Sequence, residues 1–245
     1  MRLRPVLQIF AHLAGSAFLV LPKKKRFAAA RRIALMLAPL LRRTSFFERR
    51  PSLIDGPREE AMRMVIRMMT RARVEFDPDV DVIDEELIAG APVLIVSAHF
   101  LLNVAMTRVI LDAGGRMTGS VAAPREPVYY WGTTVPLPHL YVSPLLFLQL
   151  RRTLAEGSVV FVTAEEAEPH ENWVAVDTAA GRRYVSPAVF SFIARTRMPA
   201  VFGATYLSPE GRLTITYEQP RGTTADAMCA EFCEFLRRHA AAVMR

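Results

Sequence analysis

Residues 92–98, PVLIVSA, form a near-continuous apolar run that ends at His99. A strand with one wet face alternates apolar with polar residues, whereas a strand covered on both faces does not, so this run reads as a sheet-centre strand with helices on either side. Residues 101–113 then show helical spacing through Leu102, Ala105, Met106, Val109 and Ile110, and Gly114-Gly115 stops the pattern. The alternation continues with a second strand at 117–123, a helix at 145–155 closed by Gly157, and a third strand at 158–164. A polar loop is expected over 165–186, followed by a helix at 187–197 with Pro187 in its first turn. Residues 200–207 and 212–218 read as strands joined by the turn-forming run Ser208-Pro209-Glu210-Gly211, and Thr224 caps a last amphipathic helix that reaches about Met244.

Strands alternating with helices predict an α/β fold: a mostly parallel central sheet flanked by helices, over residues 75–245. In such sheets ligands bind beyond the C-terminal ends of the strands. That rule selects His99 after the first strand, Arg125-Glu126 after the second and Glu165-Glu166 after the third.

Composition narrows the class further. At 245 residues the chain can bury a substantial core, and 51% hydrophobic against 22% charged residues excludes intrinsic disorder. Cys229 and Cys233 are too few for a disulfide framework and read as small buried thiols of a reducing compartment rather than a redox or metal pair. The net charge of +7 hides an asymmetry: residues 1–74 carry 17 basic and 4 acidic side chains, leaving 14 basic and 20 acidic for residues 75–245. A cationic first third calls for an anionic partner, nucleic acid or phospholipid. No helix-turn-helix, zinc-finger or aromatic-interleaved pattern supports nucleic acid.

Instead, the cations flank apolar stretches. Residues 5–21 are mostly apolar, bounded by Arg2 and Arg4 on one side and by Lys23, Lys24, Lys25 and Arg26 on the other. Three readings stay open for them: shallow insertion at an interface, a single span at the short limit of length, and a core helix. Residues 27–43 place Ile33, Met36, Leu37, Leu40 and Leu41 at helical spacing, with Pro39 as an expected kink. In 58–73, Met62, Val65, Ile66 and Met69 share one face and Arg63, Arg67 and Arg71 another. The bland reading is a core stripe backed by a solvated face; the sharper one is a basic amphipathic segment, residues 1–74, on anionic headgroups, each cation there contributing on the order of 1 kcal/mol.

For chemistry, His99 stands out, at a strand end and immediately before a helix, a position suited to a neutral, basic imidazole. No G-x-S-x-G elbow, Walker loop, G-x-G-x-x-G or H-E-x-x-H competes with it, and the five His and two Cys show no metal-ligand spacing. His139 and His170 read as surface or loop residues.

The run Ser97-Ala98-His99-Phe100-Leu101-Leu102 resembles the H-F-x-x-x-(D/E) motif of bacterial lipid A biosynthesis acyltransferases, of the lysophospholipid acyltransferase superfamily. Residues 150–162 (LRRTLAEGSVVFV) are similar to that family's helix, glycine and strand, Glu165-Glu166 falls where it carries an acidic pair, and 181–205 is similar to its loop, helix and strand. The resemblance spans roughly residues 10–220. It implies acyl transfer from a thioester of acyl-carrier protein or coenzyme A, with no other cofactor, to a hydroxyl of a membrane phospholipid or glycolipid at the cytoplasmic face of a bacterial inner membrane. His99 would be the general base, with Glu165 or Glu166 as carboxylate, and Arg125, Glu126 and Asn103 would contact substrate. Arg125 would also serve as a donor to the oxyanion. Phe100, Phe147 and Leu148 could line an acyl channel or simply pack the core.

The motif's acid belongs at position 104, which is Val104, with Asn103 beside it. Two explanations survive: a carboxylate from another strand end, Glu126, Glu165 or Glu166, replaces it, or the protein is a non-catalytic relative that binds lipid or a partner enzyme.

Overall fold

The computed structural model describes residues 12–43, 54–89, 92–100, 102–113, 115–121, 129–130, 133–134, 139–141, 143–208 and 210–244. Its central sheet has seven strands, in the order β1 (Val80–Ile83), β12 (Leu213–Glu218), β11 (Ala200–Leu207), β2 (Leu94–Ser97), β7 (Val159–Thr163), β3 (Met117–Val121) and β6 (His139–Tyr141). From β11 to β6 every neighbour pair is parallel; β12 runs antiparallel to β11 and pairs with β1 in parallel. The fold is therefore the α/β architecture that the alternating pattern predicts.

All four residues of β2 are buried. Alternation divides them between two cores. Ile95 packs with α1 (Lys23–Arg43), α2 (Pro57–Arg71) and α3 (Val104–Asp112) on one face of the sheet. Leu94 and Val96 pack with α4 (Leu146–Ala155), α5 (Pro187–Thr196) and α6 (Ala225–Val243) on the other. A near-continuous apolar run is what a strand serving two cores requires, and its one polar member, Ser97, is buried with its hydroxyl bonded to the Gly203 carbonyl. Thr224 caps α6 as expected, its hydroxyl accepting from the Ala227 amide at 3.3 Å. Cys229 and Cys233 are free, buried thiols one turn apart on that helix.

Residues 165–186 depart from the expected loop. They form a second, antiparallel sheet in the order β8 (Glu165–Glu166), β10 (Gly181–Val185) and β9 (Val174–Thr178). A glycine at positive φ, Gly181, closes the β9–β10 hairpin, while Val176, Arg183 and Val185 make its buried face. The period of two was concealed because one inward position carries an arginine, whose sequence signal is that of a loop. Two further strands, β4 (Tyr129–Tyr130) and β5 (Thr133–Thr134), pair with each other.

The N-terminal third also differs from its expected stripe. On α1 the covered residues are Phe27, Ala30, Ala34 and Ala38, with Ile33 and Leu37 at their flanks. Met36 and Leu40 are instead 68% and 59% exposed, on the side of α1 opposite the buried alanine row. Of residues 5–21 the described part is residues 12–21, a helical turn followed by the short 3₁₀ helix Ala17–Val20; Gly15 in that turn lies directly on α2, where a Cβ would run into the Met68 carbonyl oxygen. On α2, Met62, Val65, Ile66 and Met69 are buried as the spacing predicts. Among the described residues no helix is long and apolar enough to cross a membrane.

One buried acid ties α2 to the sheet. Glu59, 1% exposed in the first turn of α2, accepts from the Leu207 amide at the end of β11 at 3.0 Å. Burial outweighs this and the other amides nearby and pushes its carboxyl up to about 7. Well below pH 4.5 folded and unfolded chains both hold the proton. As pH rises toward 7 the unfolded chain ionises first, so this residue lowers stability by roughly 3 kcal/mol across that interval. Urea unfolding should show Glu59→Gln gaining about that much on the parent between pH 4.5 and 8; a difference that stays flat with pH contradicts this.

Candidate active site

β2 and β7 are neighbours, and the chain leaves both at the same edge of the sheet, β2 into His99 and β7 into Glu165. At that edge His99 is held by its backbone from three directions. Its amide donates to Glu165 Oε2 at 2.9 Å, its carbonyl accepts from Ile54 N at 2.8 Å, and the Phe100 amide reaches back to the Ala98 carbonyl at 2.8 Å in a tight turn around it. Underneath, Asn103 Nδ2 donates to the Ala98 carbonyl at 2.6 Å and to Ser97 Oγ at 3.2 Å, while Ser97 Oγ donates to the Gly203 carbonyl at 2.6 Å. Asn103 thus braces the turn that presents the histidine. Expected as a substrate contact, it has its amide nitrogen engaged by the protein's own backbone.

The imidazole itself is paired. Nδ1 lies 3.3 Å from Glu165 Oε2, with the ring 34% exposed and the carboxylate completely buried. A carboxylate beside Nδ1 selects the tautomer protonated there and leaves Nε2 as the ring nitrogen able to accept a proton. The second carboxylate oxygen, Oε1, accepts from Nε of Arg183, which is itself 2% exposed. Burial pushes the Glu165 carboxyl up, but the hydrogen bond to His99 and the charge and hydrogen bond of Arg183 outweigh it, and the carboxyl is held below the usual carboxylate range.

The acidic pair is split by its strand. Glu165 stands opposite Val185 on the inner face of the small sheet, Glu166 opposite Tyr184 on the outer one. Glu166 accordingly meets His170, at 2.7 Å from Nε2, and that ring packs against Trp173 with centroids 4.6 Å apart. The structure brings together His99 and Glu165 and leaves Glu166 on the far side. Arg125 and Glu126 lie outside the described residues, and His139 begins β6. Val104 opens α3 and packs partly buried against the apolar core.

Arg183 and Ser97 were missed as site residues. Nothing local marks Arg183; only the β8–β10 pairing, which places it diagonally across from Glu165 on the same face, reveals its role. Two cavities of about 500 and 560 Å³ are lined by residues at the start of β11 and the end of β12, the opposite edge of the sheet, and His99 lines neither. Among the described residues no group of His, Cys, Asp and Glu is arranged to hold a metal ion.

No protein-family model matches this chain, and no curated protein matches it either.

Glu165 and Arg183 are nearly solvent-free, so removing one should be far worse than removing both. Urea unfolding should find Glu165→Leu destabilised by about 3–5 kcal/mol and the double variant Glu165→Leu, Arg183→Met restored to near the parent. Additive losses would show that the two side chains are not coupled.

Proposed function

We propose that this chain is a membrane-docked acyltransferase that carries an acyl group from a thioester of acyl-carrier protein or coenzyme A to a hydroxyl of a phospholipid or glycolipid. One observation carries the reading: a strand-end histidine whose Nδ1 is 3.3 Å from a buried carboxylate, leaving Nε2 to act as base. In the reaction Nε2 takes the proton of the acceptor hydroxyl as its oxygen bonds to the thioester carbonyl carbon, giving a tetrahedral oxyanion. The positive imidazolium is stabilised by Glu165, as in a triad. Collapse of the oxyanion breaks the carbon–sulfur bond, and the departing thiolate takes the proton from Nε2, so that ester and free thiol leave and His99 is regenerated. No acyl-enzyme is required.

The alternative, a non-catalytic lipid-binding relative, draws its support from Val104. Glu165 supplies from β8 the carboxylate that position 104 lacks, and with it that support weakens.

Membrane docking rests on the outer face of the N-terminal helices. Along α1, Lys25, Arg32, Met36 and Leu40 fall on one side, opposite the alanine row, and all four are exposed. Leu13, Leu19 and Val20 are exposed as well, at 60%, 49% and 85%. The first 47 residues hold ten Lys and Arg and no Asp or Glu. Exposed large apolar side chains interspersed with cations are the composition of an interfacial helix on anionic lipid.

With labelled acyl thioester and lipid acceptor, His99→Ala should lose about 10²–10⁴ in turnover, whereas Val104→Glu should bring no gain; undiminished turnover by His99→Ala would remove the proposal. Binding to anionic vesicles should fall about tenfold or more in Met36→Asp, Leu40→Asp, and equal binding would place the docking face elsewhere.

A further inference from the structure

We propose that Arg183 is a positioning residue for the reaction: its guanidinium anchors one oxygen of Glu165 so that the other is fixed on both the amide and the ring of His99. The inference rests on the acyl-transfer reading for its functional consequence and on geometry for the arrangement itself.

Three features support it. First, β8 has two residues and one partner strand, β10, so the place of Glu165 in the site is set by that pairing and by the side chains that cross it. Arg183 is the charged side chain on the inner face of β10, next along that face from Val185, which stands opposite Glu165. Second, the two oxygens of Glu165 have divided duties. Oε1 takes Nε of Arg183, and Oε2 takes the His99 amide at 2.9 Å and lies 3.3 Å from Nδ1. Rotation of the carboxylate is blocked at both ends, which a single hydrogen bond to His99 would not achieve.

Third, a carboxylate with no exposure has to be compensated or it takes up a proton. A neutral acid cannot stabilise an imidazolium, so the buried carboxylate serves His99 only while it stays ionised, and the Arg183 guanidinium on its other oxygen favours that form. Arginine meets that need better than lysine, because the guanidinium stays charged when buried and presents its donors in a rigid plane. Where the related motif places its acid one helical turn after the histidine, this chain places it across the sheet, on a strand whose buried cation comes from the next hairpin. A lone Glu165 without Arg183 would not replace it.

The competing view is that Arg183 only fastens β10 to β8. The two differ in what happens to protons. The full chain is labelled with ¹⁵N-histidine and ¹³C-carboxyl glutamate, and His99 and Glu165 signals are assigned by their loss in His99→Gln and Glu165→Gln. In the parent the expected signals are an ionised Glu165 carboxylate and, for the neutral ring, one His99 tautomer with the proton on Nδ1. In Arg183→Met the carboxyl signal should be that of the protonated acid and the ring a mixture of tautomers. Arg183→Lys should keep the carboxylate ionised. The acid limb of the turnover profile should move upward by roughly two pH units in Arg183→Met and stay near the parent in Arg183→Lys. Arg183→Gln, which keeps a donor without the charge, is measured alongside so that a folding failure of the Met variant leaves the comparison intact.

A purely structural role predicts a loss that is the same at every pH, with Glu165 ionised in all folded variants; that result overturns the proposal. If the spectra change as expected but the parent transfers no acyl group, the positioning stands and the acyl-transfer reading falls. Transfer by the parent with unchanged spectra in Arg183→Met and Arg183→Gln does the reverse.

Discussion

A carboxylate with no solvent exposure sits at the centre of this structure. Arg183, the His99 amide and the His99 ring surround Glu165 and together hold its carboxyl below the usual range against the effect of burial. That requirement reaches outward through the fold. The chain must leave β7, turn at once into β8, and be met there by β10, so that an arginine from one hairpin and a histidine from the end of β2 converge on the same group. The parallel sheet supplies the two adjacent strand ends, and the small antiparallel sheet supplies the cation. The cost of burying these charges is offset only while all three partners are present, which makes the arrangement specific more than it makes it stable.

The turn that carries His99 is restrained to match. Asn103 and Ile54 bind the Ala98 and His99 carbonyls and Ser97 is anchored to the Gly203 carbonyl, so the ring is presented by a turn whose backbone is hydrogen-bonded to three other segments. A catalytic base gains from such fixation, because its orienting partner is then kept within hydrogen-bond reach without an entropic cost at each turnover.

Much of the fold was legible in the sequence because the signals were local. The apolar run at 92–98, the glycine stops and the Thr224 cap each mark an element by its own residues. His99 and Glu165 were legible as strand-end positions, since the parallel-sheet rule selects them from order alone. What escaped was non-local. Arg183 sits inward on a strand whose polar residues read as a loop, and its value appears only when β10 is laid beside β8. Glu165 and Glu166 could not be told apart until the strand assigned them opposite faces. On α1 the apolar spacing left a core stripe and a lipid-facing surface both open for Met36 and Leu40; the structure buries Ala30, Ala34 and Ala38 and leaves the two larger side chains exposed. The cationic N-terminal segment thereby has exposed apolar residues beside its charges, the combination on which membrane docking is proposed.

In the proposed acyl transfer, Glu165 on β8 orients His99 in place of an acid on the helix that follows it. Turnover of folded Glu165→Gln, which keeps the shape and removes the charge, tests this most directly. The account predicts a loss of about 10³–10⁴-fold relative to the parent, comparable to removing the orienting carboxylate of a triad; turnover equal to the parent would contradict it.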